Sequence, residues 1–377
     1  MVAPLSSPQV SVVMAVHNGL PYVESAVRSV MQQSLRDIEI IIVDDASGDD
    51  TPTLLARLAK QDPRIRLKLL RKNVKTPSAV NKGLAMVRAP LVARMDADDL
   101  SLPDRLMVQK KFMDQHPDIA LCGSSIAQID ASGKTFRTSR RARDAFATRW
   151  LARFFSPLCH PTFMFRATGR DGAPLRYDPA YPFSEDYDFA ARLLRTGDAV
   201  SLPEVLMKYR VHSQSTTATK YRTQLADAQR TAMMVQTDTL PADIRAALGA
   251  FNTAYFELRC ENPAQLFAGM RRMIAADLHG APTRRAWMKR QAAQLIVTAI
   301  RRSGGTRFEI LRAFGGSGRD FLLALIMRYL EVRRLLPRAL RSDPVVWSAS
   351  WSGGAALFLT QIDPVAQHTH ACRETNA

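Results

Sequence analysis

The chain has 377 residues, a formal net charge of +17 and 46% hydrophobic residues. That length allows one large α/β domain and a smaller helical one, and the charge calls for an anionic partner without choosing among nucleic acid, an acidic membrane surface and phosphorylated substrates. Cys122, Cys159, Cys260 and Cys372 form no Cys-x-x-Cys pair, which argues against a zinc site or disulfide framework and for a reducing, cytoplasmic setting. Residues 1–9 lack the basic start and apolar core of a signal peptide. No run of about 18 apolar residues is present, since the longest candidate, 321–330, is short and broken by Arg328. A membrane-spanning helix is not expected.

Residues 10–16 (VSVVMAV) and 38–43 (IEIIIV) are nearly continuous in apolar side chains and predict buried strands. Between them, 22–34 carries apolar residues at helical spacing, with Pro21 suited to a first turn. A helix is predicted from Thr51-Pro52 to about Lys60, a strand over 65–70, a helix over 78–87 and a strand over 91–95. A helix over 103–116 and strands over 119–129 and 162–165 follow. This β-α-β order implies a mostly parallel sheet with helices on both faces. Ligands of such sheets bind outside the carboxyl ends of the strands, where Asn18, Asp44-Asp45 and the segment 96–99 all fall. Beyond Tyr221 only helical patterns remain, over 270–278, 287–301 and 321–336. Between Arg271 and Arg341 there are sixteen Lys and Arg against four Asp and Glu. The tail from Ser342 has no readable pattern, and there is no internal repeat.

Three acidic clusters stand out. Asp96-Ala97-Asp98-Asp99 places three carboxylates within four residues at a strand end, where they repel one another unless a cation shares them, and a hard divalent ion bridges such oxygens to substrate phosphates. Asp44-Asp45 ends an earlier strand, and Glu185-Asp186 with Asp188 lies downstream. Each has a plainer reading: an acidic turn for the first, an Asx turn before Ala46-Ser47-Gly48 for the second, and a helix N-terminus capped by Ser184 for the third.

In series with other blocks the three become specific. The stretch SVVMAVHNGLPYVESAVRSVMQQSLRDIEIIIVDDASGDDT (11–51) resembles the start of family-2 inverting glycosyltransferases. The resemblance continues through Ala79-Val80-Asn81-Lys82-Gly83, RMDADDLSLPDRLMVQ (94–109), HPTFMFR (160–166), SEDYDFAARL (184–193) and YRVHSQS (209–215). It covers roughly residues 8–215 in the family's order.

The resemblance implies a GT-A-like fold, a mostly parallel Rossmann-type sheet, with a nucleotide-sugar domain over 8–220. A basic helical region over 221–341 and a tail over 342–377 follow. It implies that Ala15, His17, Asn18, Asn81, Lys82, Asp96 and Ala97 line the donor pocket, that an aspartate of Asp44-Asp45 reads the base as an acceptor, and that Asp96 lies near the ribose. By the same resemblance Asp98 binds a divalent metal, Mn²⁺ or Mg²⁺, which offsets charge on the departing diphosphate, and His212 completes that shell. Asp186 becomes the general base that takes the acceptor hydroxyl proton, with Glu185 and His160 on the acceptor side. Asp99 is assigned to bracing the loop.

Departures are visible. Ala15 and His17 replace the usual proline and tyrosine, and Val80 replaces an arginine, for which Arg71, Lys72, Lys75 or Lys82 are candidate substitutes. The Q-x-x-R-W signature of processive synthases is absent. The expectation is therefore single-sugar transfer, with inversion, from a UDP- or dTDP-linked donor to a saccharide or lipid-linked saccharide in cell-surface polysaccharide synthesis. A nucleotidyltransferase, or a non-catalytic carbohydrate- or membrane-binding protein on the same scaffold, are the alternatives. The basic helices either lie on an anionic membrane at the inner face of the plasma membrane or form an ordinary helical subdomain with a wet basic face. No nucleic-acid reading module accompanies the charge.

Overall fold

The computed structural model describes residues 7–140, 143–215, 220–259, 263–277 and 282–303. The predicted helix over 321–336 and the tail lie outside the described residues, as do Cys260 and Cys372. The chain divides between Ser215 and Thr216 into two compact units.

In the first unit the elements run β1 (Val10–Val16), α1 (Val23–Met31), β2 (Ile38–Asp44), α2 (Thr51–Gln61), β3 (Ile65–Leu69), α3 (Thr76–Leu84) and β4 (Leu91–Met95). After them come β5 (Leu100–Ser101), α4 (Arg105–Gln115), β6 (Ile119–Ile129), β7 (Thr135–Ser139), α5 (Ala145–Leu151), a 3₁₀ turn at His160–Thr162, β8 (Met164–Arg166), α6 (Glu185–Thr196) and β9 (Asp198–Arg210). Among the described residues the strands form one sheet in the order β3-β2-β1-β4-β8-β6-β9-β5, with β7 pairing β6 off that path. β3, β2, β1 and β4 are mutually parallel, as are β6 and β9, while β8 enters antiparallel between β4 and β6.

Alternation along the strands explains both covered faces. Val10, Val12 and Met14 join Ile40, Ile42, Leu91, Ala93 and Met95 under α1, α2 and α4, which contribute Val27, Leu55 and Leu106. Val13, Ile41, Val43 and Val92 face the other way, against Ala79 and Val80 of α3 and Phe189, Ala190 and Leu193 of α6. Gly83 lets α3 press on the sheet, since a Cβ there would stand 2.7 Å from Val13 Cγ1.

The expected parallel core is present. Some bounds shift: 162–165 opens as a 3₁₀ turn before β8, the helix placed over 78–87 runs from Thr76 to Leu84, and the helix placed over 22–34 ends at Met31. β9 is a strand that the pattern does not announce, because Pro203 and Glu204 interrupt it. The register against β6 jumps from Ser124↔Leu202 to Ser125↔Val205, so both residues sit in an exposed bulge, the position where a strand tolerates proline.

The second unit holds α7 (Tyr221–Thr239), α8 (Ala242–Ala247), α9 (Gly249–Phe256), α10 (Pro263–Ala276) and α11 (Pro282–Arg302). Leu248, Phe251, Met270, Met288, Ile296 and Ile300 are among its buried residues. A reciprocal amide pair, Gln236 with Asn252 at 3.0 and 3.2 Å, satisfies two buried polar groups between α7 and α9. Arg302 donates to the Tyr221 hydroxyl at 2.6 Å and lies over the Tyr255 ring, 4.6 Å from its centroid. Arg271, Arg272, Arg284 and Arg285 are exposed. No helix among the described residues is long and apolar enough to cross a membrane.

Candidate active site

At the carboxyl rim of the sheet, the loops after β1 and β2 are laced together. His17 Nδ1 lies 3.0 Å from the Asp45 carbonyl oxygen, the Asn18 N–H donates to Ser47 Oγ at 2.8 Å, and the Gly48 N–H donates to Asn18 Oδ1 at 2.8 Å. Asn18 and Ala46 both take positive φ, 51° and 58°, as these sharp exits from parallel strands require. Ala15 is partly buried against the core. Asp44 and Asp45 are both buried and differ in their partners. Asp44 Oδ2 accepts from the Ser47 N–H at 3.1 Å, leaving a buried Oδ1 with no partner. Asp45 Oδ1 accepts from the Val74 N–H at 2.7 Å. Lys75, next to Val74, holds φ 70° and ψ 160°, a region that costs a non-glycine residue on the order of 1–3 kcal/mol.

Two strands along the same rim, β4 delivers the acidic segment. Asp96 Oδ1 pairs with Arg94 at 2.8 Å, Ala97 packs on the core, and Asp98 Oδ2 lies 2.9 Å from His212 Nε2. Asp99 is fully buried, and its Oδ1 accepts from the Arg210 N–H at 2.7 Å, so it braces the loop. Burial pushes the carboxyls of Asp96 and Asp99 up, helped by the negative charge of Asp98.

α6 brings the third cluster. Ser184 stands at its N-cap position without a side-chain capping bond, and Asp188 turns away to pair with Arg192 at 2.7 Å. Burial pushes Glu185 up to about 8, aided by the charge of Asp186, and Asp186 up to about 6, opposed by a hydrogen bond from the Ser156 hydroxyl. Asp96 also raises both, so the β4 and α6 carboxylates share one electrostatic neighbourhood.

His160 Nε2 lies 2.9 Å from the Tyr177 hydroxyl, and burial together with the Arg94 charge holds its pKa well below the usual imidazole range; it is neutral. The Tyr177 ring stacks on Phe189 of α6 at 4.2 Å. Asn81, expected at the donor, clasps Tyr177: its amide donates to the Tyr177 carbonyl and accepts from the Tyr177 N–H, both at 2.8 Å. Lys82 is exposed on α3, about 9 Å along the helix from Thr76, and no described contact joins it to the acidic clusters.

Several contributors were not singled out from the sequence. Arg105 is completely buried and donates to the Arg94 carbonyl at 2.7 Å and to Gln109 Oε1 at 2.9 Å, while Gln109 donates to the Thr162 carbonyl at 2.7 Å and the Cys122 carbonyl at 3.3 Å. Together they staple β4, β6 and the 3₁₀ turn beneath the acidic loop. Burial lowers the Arg105 pKa to about 10, so it remains charged. The signal was the i, i+4 spacing of Arg105 and Gln109 on the same helix face as Leu106 and Met113.

The Asp98 and His212 atoms suit a metal that arrives with phosphates. Two neighbouring ligands of an octahedral ion, at bonds of about 2.1 Å, stand roughly 3.0 Å apart, close to the 2.9 Å found here. Among the described residues no group of three or more His, Cys, Asp or Glu could hold a metal ion, so an ion held by Asp98 and His212 would need water and substrate oxygens to complete its sphere.

The model of glycosyl transferase family 2 matches residues 11–169. A relative named an amylovoran biosynthesis glycosyltransferase, AmsE of Erwinia amylovora, is 33% identical over 192 residues, covering 50% of this chain and 71% of the relative. The chain belongs to glycosyl transferase family 2. The transferase fold is GT-A-like. A crystal structure of S. aureus TarS 1-349 in complex with UDP-GlcNAc matches with a TM-score of 0.53 at 15% identity, over 84% of this chain and 92% of the other. The mannosyltransferase PcManGT from Pyrobaculum calidifontis, in complex with GDP-Man and Mn2+, matches with a TM-score of 0.50 at 18% identity, over 86% and 87%.

Proposed function

We propose that the transferase moves a single sugar, with inversion, from a UDP- or dTDP-linked donor to a hydroxyl of a saccharide or lipid-linked saccharide, in cell-surface polysaccharide synthesis. The observation that carries this reading is that Asp96, at the end of β4, raises the pKa of both Glu185 and Asp186 at the start of α6, with Asp98 of the same loop beside His212 and Asp45 after β2, two strands away. Adjacent strands are about 4.8 Å apart, so roughly 10 Å separates the base-reading end from the acidic end.

In this reading Asp45 accepts from the base through its second oxygen, and His17 and Asn18 shape that end of the pocket. Asp96, fixed by Arg94, meets the ribose. Asp98 and His212 hold the divalent ion, Mn²⁺ or Mg²⁺, which when bound neutralises charge on the diphosphate leaving group. Asp186 takes the proton of the acceptor hydroxyl as that oxygen attacks the anomeric carbon from the face opposite the diphosphate. Glu185, protonated at neutral pH, donates a hydrogen bond toward the acceptor, and neutral His160 lines the same side. The AmsE relative supports a role in polysaccharide assembly. The exposed arginines of α10 and α11 support a basic region, 221–341, that serves the acceptor or rests on an anionic membrane at the cytoplasmic face.

The deciding experiment incubates the transferase with a panel of nucleotide sugars, with Mn²⁺ or with chelator, and reads donor turnover and product anomer by NMR. Transfer with inversion that needs the metal and vanishes in Asp186→Asn is expected. A retained anomer, or full turnover in Asp186→Asn, overturns the assignment. For the membrane reading, full-length protein should sediment with anionic vesicles at low salt and not with neutral ones; equal behaviour with both removes it.

A further inference from the structure

Arg210 ends β9 with only 5% of its surface exposed. Its Nε donates to the Asp98 carbonyl at 2.8 Å, and its Nη1 to the Asp130 and Ala131 carbonyls, each at 3.0 Å. Its backbone N–H holds Asp99. Burying a guanidinium is costly unless its donors are satisfied, and here the acceptors of the guanidinium among the described residues are main-chain oxygens from two separate loops. A lysine ammonium has no planar fork with which to span them.

The ring of Tyr22, at the start of α1, lies under the same guanidinium, 4.5 Å from its carbon. The ring also meets His212, centroid to centroid at 5.1 Å and tilted by 51°. A closed circuit results. Arg210 grips Asp98 by its carbonyl, His212 meets Asp98 at its carboxylate, and the Tyr22 ring sits between the arginine and the histidine. His212 lies beyond the end of β9, outside any strand or helix, so these contacts are what orient its imidazole. The Tyr22 hydroxyl makes no hydrogen bond among the described residues, so the ring alone does this.

We propose that Arg210 and Tyr22 are positioning residues that hold Asp98 and His212 at metal-ligand spacing before the ion arrives. Arg210 also ties that pair to the turn between β6 and β7. The proposal rests on the metal-dependent reading above. Partners that orient metal ligands in this way typically change affinity by about 10- to 100-fold when removed.

The test is a titration of the full chain with Mn²⁺ in the presence of saturating UDP, reading the free aqua ion by electron paramagnetic resonance, with melting temperatures alongside. Tyr22→Phe should bind Mn²⁺ within about twofold of wild type, whereas Tyr22→Ala and Arg210→Lys should weaken it about 10- to 100-fold. Tyr22→Ala should keep its melting temperature, which separates the effect from general loss of structure. Wild-type affinity in Tyr22→Ala, or a Tyr22→Phe as weak as Tyr22→Ala, overturns the proposal. Should Arg210→Lys fail to fold, the two Tyr22 variants still decide. A wild type that takes up no Mn²⁺ with UDP overturns the metal reading itself, whereas a binding wild type matched by Tyr22→Ala overturns only the positioning role.

Discussion

The pH dependence of transfer follows from the α6 carboxyls. Asp186 is pushed up to about 6 and Glu185 up to about 8, burial being the first cause for both. Between those values the pair carries one proton, and the two steps belong to the pair as a unit. A base must be ionised to act. With a pKa near 6, about 90% of Asp186 is ionised at pH 7 and about 10% at pH 5, so kcat should fall roughly tenfold over that interval. An aspartate at its ordinary 3.8 would remain more than about 90% ionised at pH 5 and lose almost nothing. The assay is kcat at saturating donor and Mn²⁺ from pH 4.5 to 9. Ser156→Ala removes a hydrogen bond that favours the ionised form, so its acid limb should move upward, by about half a unit to one unit. Glu185→Gln should leave the limb near pH 6, because Glu185 is neutral there. A profile flat down to pH 5, or a limb that disappears in Glu185→Gln, would refute this assignment of base and neighbour.

Three further outcomes are expected. Glu185 is raised from 4.5 to about 8 in the folded chain, so its contribution is unfavourable once the unfolded chain ionises, nil below pH 4.5 and growing until pH 8. Glu185→Gln should therefore stabilise the protein by about 1–2 kcal/mol at pH 8 and by nothing at pH 4 in denaturant unfolding, less than the roughly 5 kcal/mol that the bare shift implies, because the pair is coupled and partly reached by water. Asp98→Asn should abolish metal-stimulated transfer, and His212→Ala should raise the Mn²⁺ concentration for half-maximal rate by about 10- to 100-fold; unchanged metal dependence in both would remove the pair from the site. Gln109→Ala deletes hydrogen bonds to Arg105 and to the Thr162 and Cys122 carbonyls in a fully buried setting, so urea unfolding should show a loss of about 2–4 kcal/mol; a loss below about 1 kcal/mol would mean that the staple is dispensable.

The parallel half of the sheet was legible because its strands are buried on both faces, which writes them as apolar runs that need no partner to be read. β7, the bulged β9 and α5 were not, since the first is short and exposed and the second carries Pro203 and Glu204 through its middle. Among the site residues, the acidic clusters were legible as unusual local charge. Both ends of the Asn81 amide meet the backbone of a residue 96 positions away, a pairing that no local pattern encodes.

By itself the amino-acid sequence determined the family, the succession of the core strands along the chain and the placing of three acidic clusters at strand or helix ends, because each depends on local periodicity or on short motifs read in chain order. The pairing of Asp98 with His212 was implied by the family resemblance, but tertiary packing alone decided their 2.9 Å contact across 114 positions, that Arg105 and Gln109 staple three elements, and that Asp99 is buried while Asp98 is not. The physical reason is that burial and hydrogen-bond partners are properties of surfaces brought together from distant parts of the chain. A carboxylate becomes a ligand, a brace or a base according to which of those surfaces closes over it.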